Sequence, residues 1–424
     1  MFNYEEMPIP TLGLSGLEDD MSEEERAIQQ AAHKFAEDVM RPIADKVDKM
    51  TADEAIADGS PLYDYYQKMQ EVGLMDIDGM AALSDAEKAR MLPIIFEELA
   101  WGDCGLMLGS MVSGSPAYAA RQTGNDAVIE QFSNRPGCWM ATQPDRGCEV
   151  VDMDGQELTD GQKQNRPNLM AKIMGDEVIL TGQSSAWVSA APMAETALAY
   201  LPCDYGDGIY KSDGTQHHIA MLIDLTSPGV EKGKPLDKLG IRTLPQGEVF
   251  FNDVKVPMAH VVQTGDQAVG GFMGALTFAN MEMGFSFTGV ARAAFEHALA
   301  YVHERKQSGS ELIGHQSVRQ RLFSIWQKVE ACRAMSRRAA AYNFSSHGPH
   351  LVASITSKTF VTQTGYEAVS EALQLFGGNG LTKEYPMEKL FRDARASLIA
   401  DGENNVLGLK AADWISEHYK SANL

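Results

Sequence analysis

At 424 residues the chain is long for a single hydrophobic core and predicts two or three domains. Apolar residues at 44% and charged residues at 22% are ordinary for a globular protein, and no apolar run reaches the roughly 18 residues that span a bilayer. The formal charge of −22 disfavours nucleic acid and anionic membrane surfaces as partners, so a polyanionic ligand would need a local basic patch. The first twenty residues, MFNYEEMPIPTLGLSGLEDD, are acidic and lack a basic stretch followed by an apolar core, which predicts no targeting leader. Five scattered cysteines (Cys104, Cys138, Cys148, Cys203, Cys332) offer neither a disulfide framework nor metal-ligand spacing and suit a reducing cytoplasm.

Residues 1–132 read as a helical domain. Ser22 and Glu25 form a capping-box pattern, followed by Ile28, Ala31, Ala32, Phe35, Ala36 and Val39 at helical spacing, and Pro42 should end or bend that helix. Tyr63 to Val72 repeats the pattern. Met91 to Met111 is apolar enough to be largely buried, with Asp103 read as an exposed acid at a helix end.

From Gly137 the period changes. WMATQPDRG, EVILTG, SAWVSAA, TALAYL, HIAMLIDL and EVFFNDVKVP are short β-rich runs broken by Gly, Asp and Pro, predicting a small barrel or sandwich over 133–265. The polar interval from Asp152 to Leu169 reads as an exposed loop. Helical spacing returns near Gly270 and persists in four long segments, which predicts a four-helix bundle over 266–424. Glu282, on the first of these, reads as a solvated or subunit-facing acid.

The densest signal is QLFGGNGLTKEYPMEKLFRDARASLIADGENN, residues 374 to 405. Gln374 precedes a Gly377-Gly378-Asn379-Gly380 turn able to bring bare backbone N–H groups to a phosphate. Arg392-Asp393 follows on the next helix, and Asp401-Gly402 closes it. This stretch resembles the C-terminal signature of the acyl-CoA dehydrogenases. Ala141-Thr142-Gln143-Pro144 through Cys148-Glu149 is similar to that family's flavin-covering turn, Trp187-Val188-Ser189 to its flavin strand, and Glu304-Arg305 with Gln316 to its pyrophosphate-binding tract.

The resemblance covers nearly the whole chain. It implies an α+β multidomain fold with an N-terminal helical domain, a middle β domain and a C-terminal helical bundle. It implies non-covalent FAD held by Thr142, Gln143, Trp187, Val188, Ser189, Arg305, Gln316, Gln374, Gly377, Gly378 and Asn405, with no metal. It places the acyl-CoA against Cys148, Asn280 and Gly402, and gives the base that removes the Cα proton to Asp401, where most members carry Glu. An electron-transfer flavoprotein as acceptor, and a homodimer or homotetramer in which Arg305 meets the 374–380 turn across a subunit interface, follow from the same likeness. Departures from the family pattern are Cys148 for Ser, Ser308 for Phe, and Thr277 and Asn280 where many members have Asp and Arg. Three functions stay open: an acyl-CoA dehydrogenase, an oxidase resembling nitroalkane oxidase with Asp401 deprotonating a carbon acid, and a non-catalytic flavoprotein of the same shape.

Overall fold

The computed structural model describes residues 10–18, 20–153 and 167–422. Seven helices come first: α1 (Glu23–Phe35), α2 (Arg41–Val47), α3 (Ala52–Ile56), α4 (Pro61–Val72), α5 (Ile77–Ala82), α6 (Asp85–Gln122) and α7 (Asp126–Phe132). Ser22 caps α1 through the expected reciprocal bonds with Glu25. Pro42 does not end the helical run. The backbone widens into a π turn over Ala36–Met40 and re-enters α2 with proline in its first turn, where no N–H is needed.

The strands are β1 (Gly137–Met140), β2 (Leu169–Met174), β3 (Glu177–Gln183), β4 (Val188–Ser189), β5 (Thr196–Asp204), β6 (His218–Asp224), β7 (Val230–Lys232), β8 (Gln246–Gly247), β9 (Val249–Pro257) and β10 (Val261–Thr264). Seven of them form a sheet in the order β10-β6-β5-β2-β3-β9-β7, and β1 joins it through β5. Among the described residues its two ends do not pair with each other, so it is an open sheet. β5 reads as a continuous apolar run because both of its faces are covered. Ala197, Ala199 and Leu201 lie in the core of the sheet domain, whereas Leu198 and Tyr200 pack with Phe272 and Leu276 of the next helix. The polar interval is shorter than expected, since Leu169 already starts β2; its middle, 154–166, lies outside the described residues.

The last part holds α8 (Gly265–Glu304), the hairpin β11 (Lys306–Gln307) and β12 (Ser310–Glu311), α9 (Gln316–Asn343), α10 (Leu351–Phe376), α11 (Met387–Ala396) and α12 (Asn404–Ala422). The fourth predicted long segment is thus two helices around a turn at 397–403. The helical, sheet and helical order expected from the sequence is borne out.

Two buried ionic groups lock these parts together. Where α6 passes α8, Gly289 lets the backbones touch, since a Cβ there would lie 2.2 Å from Glu97 O. Beside it Arg292, 1% exposed, donates to Glu97 Oε1 at 2.8 Å and bridges to Glu98, while Arg333 reaches Glu97 at 2.8 Å. Burial pushes the Glu97 carboxyl up, but Arg333, Arg292 and Arg337 outweigh it and hold it at about 2. The second group refutes the reading of Asp103 as an exposed acid. At Asp103 α6 breaks into extended backbone, φ −166° and ψ 121°. Its buried carboxylate accepts from Leu106 N at 2.8 Å, Thr243 Oγ1 at 2.6 Å and Lys389 Nζ at 2.5 Å. Lys389 also binds Asp393 at 2.7 Å, and Asp393 accepts from Ile241 N at 2.5 Å. One cluster therefore joins α6, the β7–β8 connection and α11.

Arg292→Met removes the cation between two buried carboxylates; Glu97 keeps Arg333 and Arg337 while Glu98 keeps the His33 contact, so the change should cost about 3 kcal/mol, the low end for breaking a buried pair. Urea unfolding of the two proteins measures the difference; a loss below ~1 kcal/mol would show that the carboxylates find other partners.

Candidate active site

The turn between α11 and α12 holds Asp401 in the left-handed region, φ 53°, with Gly402 at φ 102°. Aspartate enters that region more readily than most residues. Gly402 has no room for a side chain, because a Cβ would lie 2.9 Å from Leu407. Each residue of the turn is tied to a different element. Asn280 Nδ2 of α8 donates to Asp401 O at 3.2 Å. Lys358 Nζ of α10 donates to Gly402 O at 2.6 Å and to Asn404 Oδ1 at 2.7 Å. Glu403 N donates to Cys148 Sγ at 3.4 Å, which brings the sheet domain to the turn.

Burial raises the Asp401 carboxyl above the ordinary aspartate value, and the Lys358 ammonium opposes only part of that rise. Burial likewise pulls Lys358 down to about 8. The turn is therefore fixed by a lysine that sits on the buried stripe of α10 with Ser354, Ile355, Val361 and Thr362. That stripe was the available signal for Lys358, which the motif reading passed over.

Glu282 is the second surprise. It is 5% exposed, so it is neither solvated nor at the surface of the chain, and its Oε1 has no hydrogen-bond partner. Burial first, and the nearby Asp401 second, push its carboxyl well above the usual range. Two carboxyls so placed do not ionise together. Asn280 Oδ1 is also buried without a donor. Asp103, locked to Lys389 and Thr243, takes no part here.

Across the seam lies the sheet side. Thr142 Oγ1 and Ser185 Oγ are 2.6 Å apart, and Ser185 Oγ accepts from Trp187 N at 3.3 Å. Val188 and Ser189 pair with Gly247 and Gln246. The Trp187 indole is 63% exposed, a bare aromatic face beside the Ser189 hydroxyl. Thr142, Trp187, Val188 and Ser189 are thus brought together. Gln143 stands apart in role, because its amide is committed to Leu169, donating to O and accepting from N at 3.0 Å each. Asn405, at the start of α12, pairs with Glu403 at 2.9 Å. A cavity of about 390 Å³ opens behind this side between α4, α5 and α6; Ala190 and Met193 line it, and neither Asp401 nor Asn280 does.

The remaining candidates form a separate group at the far end of α8. Gly377, φ 58°, follows Gln374 at the end of α10, and a Cβ on Gly377 or Gly378 would meet nothing within 4 Å. Tyr301 stacks on Phe376 at 4.0 Å and accepts from Asn379 Nδ2 at 2.9 Å. Arg305 and Gln316 lie just beyond Tyr301 and are exposed. Through Tyr301, the end of α8 that leads to Arg305 and the 374–380 turn lie together at one end of a single chain.

A helical domain, a sheet and a helical bundle in this order, with a half-buried carboxyl on the bundle side and an exposed indole on the sheet side, are the architecture of an acyl-CoA dehydrogenase-type fold. The model of the acyl-CoA dehydrogenase N-terminal domain matches residues 22–135, and that of the C-terminal domain residues 270–416. The chain belongs to the acyl-CoA dehydrogenase family, the FAD-dependent oxidoreductases of this fold. It is 25% identical over 396 residues to the short-chain-specific acyl-CoA dehydrogenase of Clostridium acetobutylicum, covering 91% of this chain and 96% of that one. The butyryl-CoA dehydrogenase structure from Megasphaera elsdenii superposes with a TM-score of 0.79 at 22% identity, over 94% of this chain and 99% of that one. A glutaryl-CoA dehydrogenase from Mycobacterium smegmatis in complex with FADH2 gives 0.79 at 18% identity, over 96% and 99%. The residues here suit FAD: an uncovered indole and hydroxyl for the ring, and an open Gly-Gly turn for phosphate.

A carboxyl whose folded-state value is raised favours the fold while protonated, and that contribution is lost as pH rises through the raised value. Asp401→Asn, always neutral, should therefore have a higher Tm than the natural protein at pH 7. The gap should close as pH falls below about 4, the unfolded aspartate value. Thermal unfolding across pH 4–8 measures it; a lower Tm for Asp401→Asn at pH 7 would mean that the carboxylate is stabilised and its value depressed.

Proposed function

We propose that the protein removes the Cα proton of an acyl-CoA thioester with Asp401 while a hydride leaves Cβ for flavin N5, yielding the α,β-unsaturated thioester. The single observation that carries this is the Asp401 carboxyl, raised by burial and held at the seam between bundle and sheet. A base needs a value near the working pH, and burial supplies the shift. FAD, when bound, supplies the two-electron sink. The chain's own residues do the rest. Trp187 and Val188 support the ring, Thr142 and Ser189 offer hydroxyls to it, and Cys148, Asn280 and Gly402 are assigned to the thioester. A donor on the substrate would satisfy the buried Asn280 Oδ1.

Aspartate reaches about 1.5 Å less far than glutamate. The Lys358 bond fixes the turn that carries Asp401 against α10. The acyl group must come to the carboxylate, because a misplacement of ~1 Å costs on the order of a hundredfold. This favours a branched, cyclic or otherwise unusual acyl group.

The site is shared between subunits in this reading. Arg305 lies twenty-five residues beyond Asn280 on one continuous helix, about 37 Å at 1.5 Å per residue. One FAD with its ring near Asp401 cannot reach that far, so Arg305, Gln316, Gln374, Gly377 and Gly378 serve the cofactor of a second copy in a homodimer or homotetramer. Asn405 is retained on the cofactor side. Electrons then pass to an electron-transfer flavoprotein, and the five free thiols suit a cytoplasmic setting.

The purified protein should be yellow, and acyl-CoAs should bleach its flavin band under anaerobic conditions. Bleaching by nitroalkanes alone, with peroxide formed in air, would assign the site to an oxidase; bleaching by neither class would remove the enzymatic reading. Arg305→Ala should lower FAD content and subunit association together, read by absorbance and sedimentation. A colourless, stable monomer of the natural sequence would contradict the shared site.

A further inference from the structure

Ser189 does not stand alone. β4 pairs with β8 so that Ser189 faces Gln246. The Gln246 amide Nε2 donates to Ser189 Oγ at 3.1 Å and to Trp187 O at 3.1 Å. Its Oε1 accepts from Lys238 Nζ at 2.7 Å, and the same ammonium donates to Leu244 O at 2.6 Å. Lys238, Leu244 and Gln246 lie outside the motifs that point to the flavin, and Ser189 and Trp187 lie within them.

The polarity of the chain is fixed at its far end. An ammonium has only hydrogens to give, so the Gln246 atom facing Lys238 is the oxygen, and the NH2 group must face Ser189 and Trp187. Both amide hydrogens are then spent inward. Ser189 Oγ receives one of them, which leaves its own O–H to be donated elsewhere. Burial brings Lys238 down to about 7, with Asp393 and Cys104 acting against that and Arg242 with it. The amine left after proton loss still has one N–H for each acceptor, so the direction holds on both sides of that value.

We propose that Lys238 and Gln246 are positioning residues that make Ser189 an obligatory hydrogen-bond donor toward flavin N5. This rests on the reading that the Trp187–Ser189 strand lies against the flavin. Oxidised N5 is an acceptor, and a donor held against it favours arrival of the hydride and the negative charge that builds in the ring. A hydroxyl with no imposed direction spends part of its time turned away. Gln246 fixes the direction, and Lys238 fixes Gln246.

The test uses the FAD-loaded protein and reads the two-electron potential of its flavin by dye-coupled reduction without acyl-CoA. Ser189→Ala and Gln246→Glu should both make the flavin harder to reduce, the second because a carboxylate accepts the Ser189 O–H and turns it inward. Lys238→Met, which frees the amide to flip, should shift the potential the same way by less, and Lys238→Arg should restore it. Gln246→Glu keeps the Lys238 bond to Leu244, so it answers the question even if Lys238→Met unfolds. A new negative charge could lower the potential by itself, so the decisive arm is the double variant. In a Ser189→Ala background, Gln246→Glu should add nothing, and substrate reduction of the flavin should slow about tenfold in Ser189→Ala and in Gln246→Glu, the scale of one lost hydrogen bond. Potentials unchanged in Gln246→Glu and Lys238→Met, or a Gln246→Glu shift that survives Ser189→Ala, would overturn the proposal while leaving the dehydrogenase reading intact. Failure of acyl-CoA to bleach the flavin, with these potentials as expected, would overturn only the dehydrogenase reading.

Discussion

The Lys358 ammonium is the contact on which the site depends. It is 0% exposed, and its two hydrogen bonds reach residues on either side of Glu403. A charge in that position is costly unless its hydrogens are all engaged, and the acceptors are the backbone and side chain of the turn that bears Asp401. The cost of burying the lysine and the geometry of the base are therefore one problem with one solution. The same charge restrains the Asp401 carboxyl from rising as far as burial alone would take it. A base that stayed protonated would be useless, and one fully neutralised by a cation would be weak. As the proposed base, Asp401 would stand between these limits, since the Lys358 ammonium is hydrogen-bonded to Gly402 O and Asn404 Oδ1 of the turn.

The other half of the site is held by a different set of buried charges. Asp393 takes the Ile241 N–H, and Asp103 takes Lys389 and Thr243, so the β7–β8 connection is fastened to both α6 and α11. Arg392 adds Asp48 at 2.7 Å and Leu239 O at 2.9 Å. That connection ends at β8, whose Gln246 pairs with Ser189. The position of the flavin strand relative to Asp401 thus passes through ion pairs between domains, each member of which would be costly to leave unpaired. The Arg392-Asp393 pair of the C-terminal signature serves this purpose.

Much of this was legible in the sequence, for reasons that can be stated. Period changes at Gly137 and near Gly270 mark where strands replace helices and give way to them again. The 374–405 stretch places glycines and an aspartate where the backbone turns left-handed, as Gly377, Asp401 and Gly402 show directly. What stayed hidden was burial of charge. Asp103, Glu282 and Lys358 are ionisable residues in apolar surroundings, and a polar letter in a helix is more often a solvated face. Only the three-dimensional neighbours show otherwise. Gln143 shows another side of this: it sits in a flavin-type motif, and its side-chain amide is bonded to the backbone at the start of β2, which the motif does not reveal. The Lys238–Gln246–Ser189 chain joins residues up to 57 positions apart with no periodic or compositional sign.

Two carboxyls compete for the proton: Asp401, half-buried at the anchored turn, and Glu282, buried on α8. Anaerobic stopped-flow reduction of the flavin by an acyl-CoA, compared between the natural protein, Asp401→Asn and Glu282→Gln, addresses this most directly. An amide cannot accept the proton. Asp401→Asn should keep its FAD and bind substrate but reduce its flavin about a thousandfold more slowly, within the range general-base removal costs, while Glu282→Gln should stay within about tenfold of the natural rate. Near-normal reduction in Asp401→Asn, with the loss appearing in Glu282→Gln instead, would contradict the account and move the base to α8.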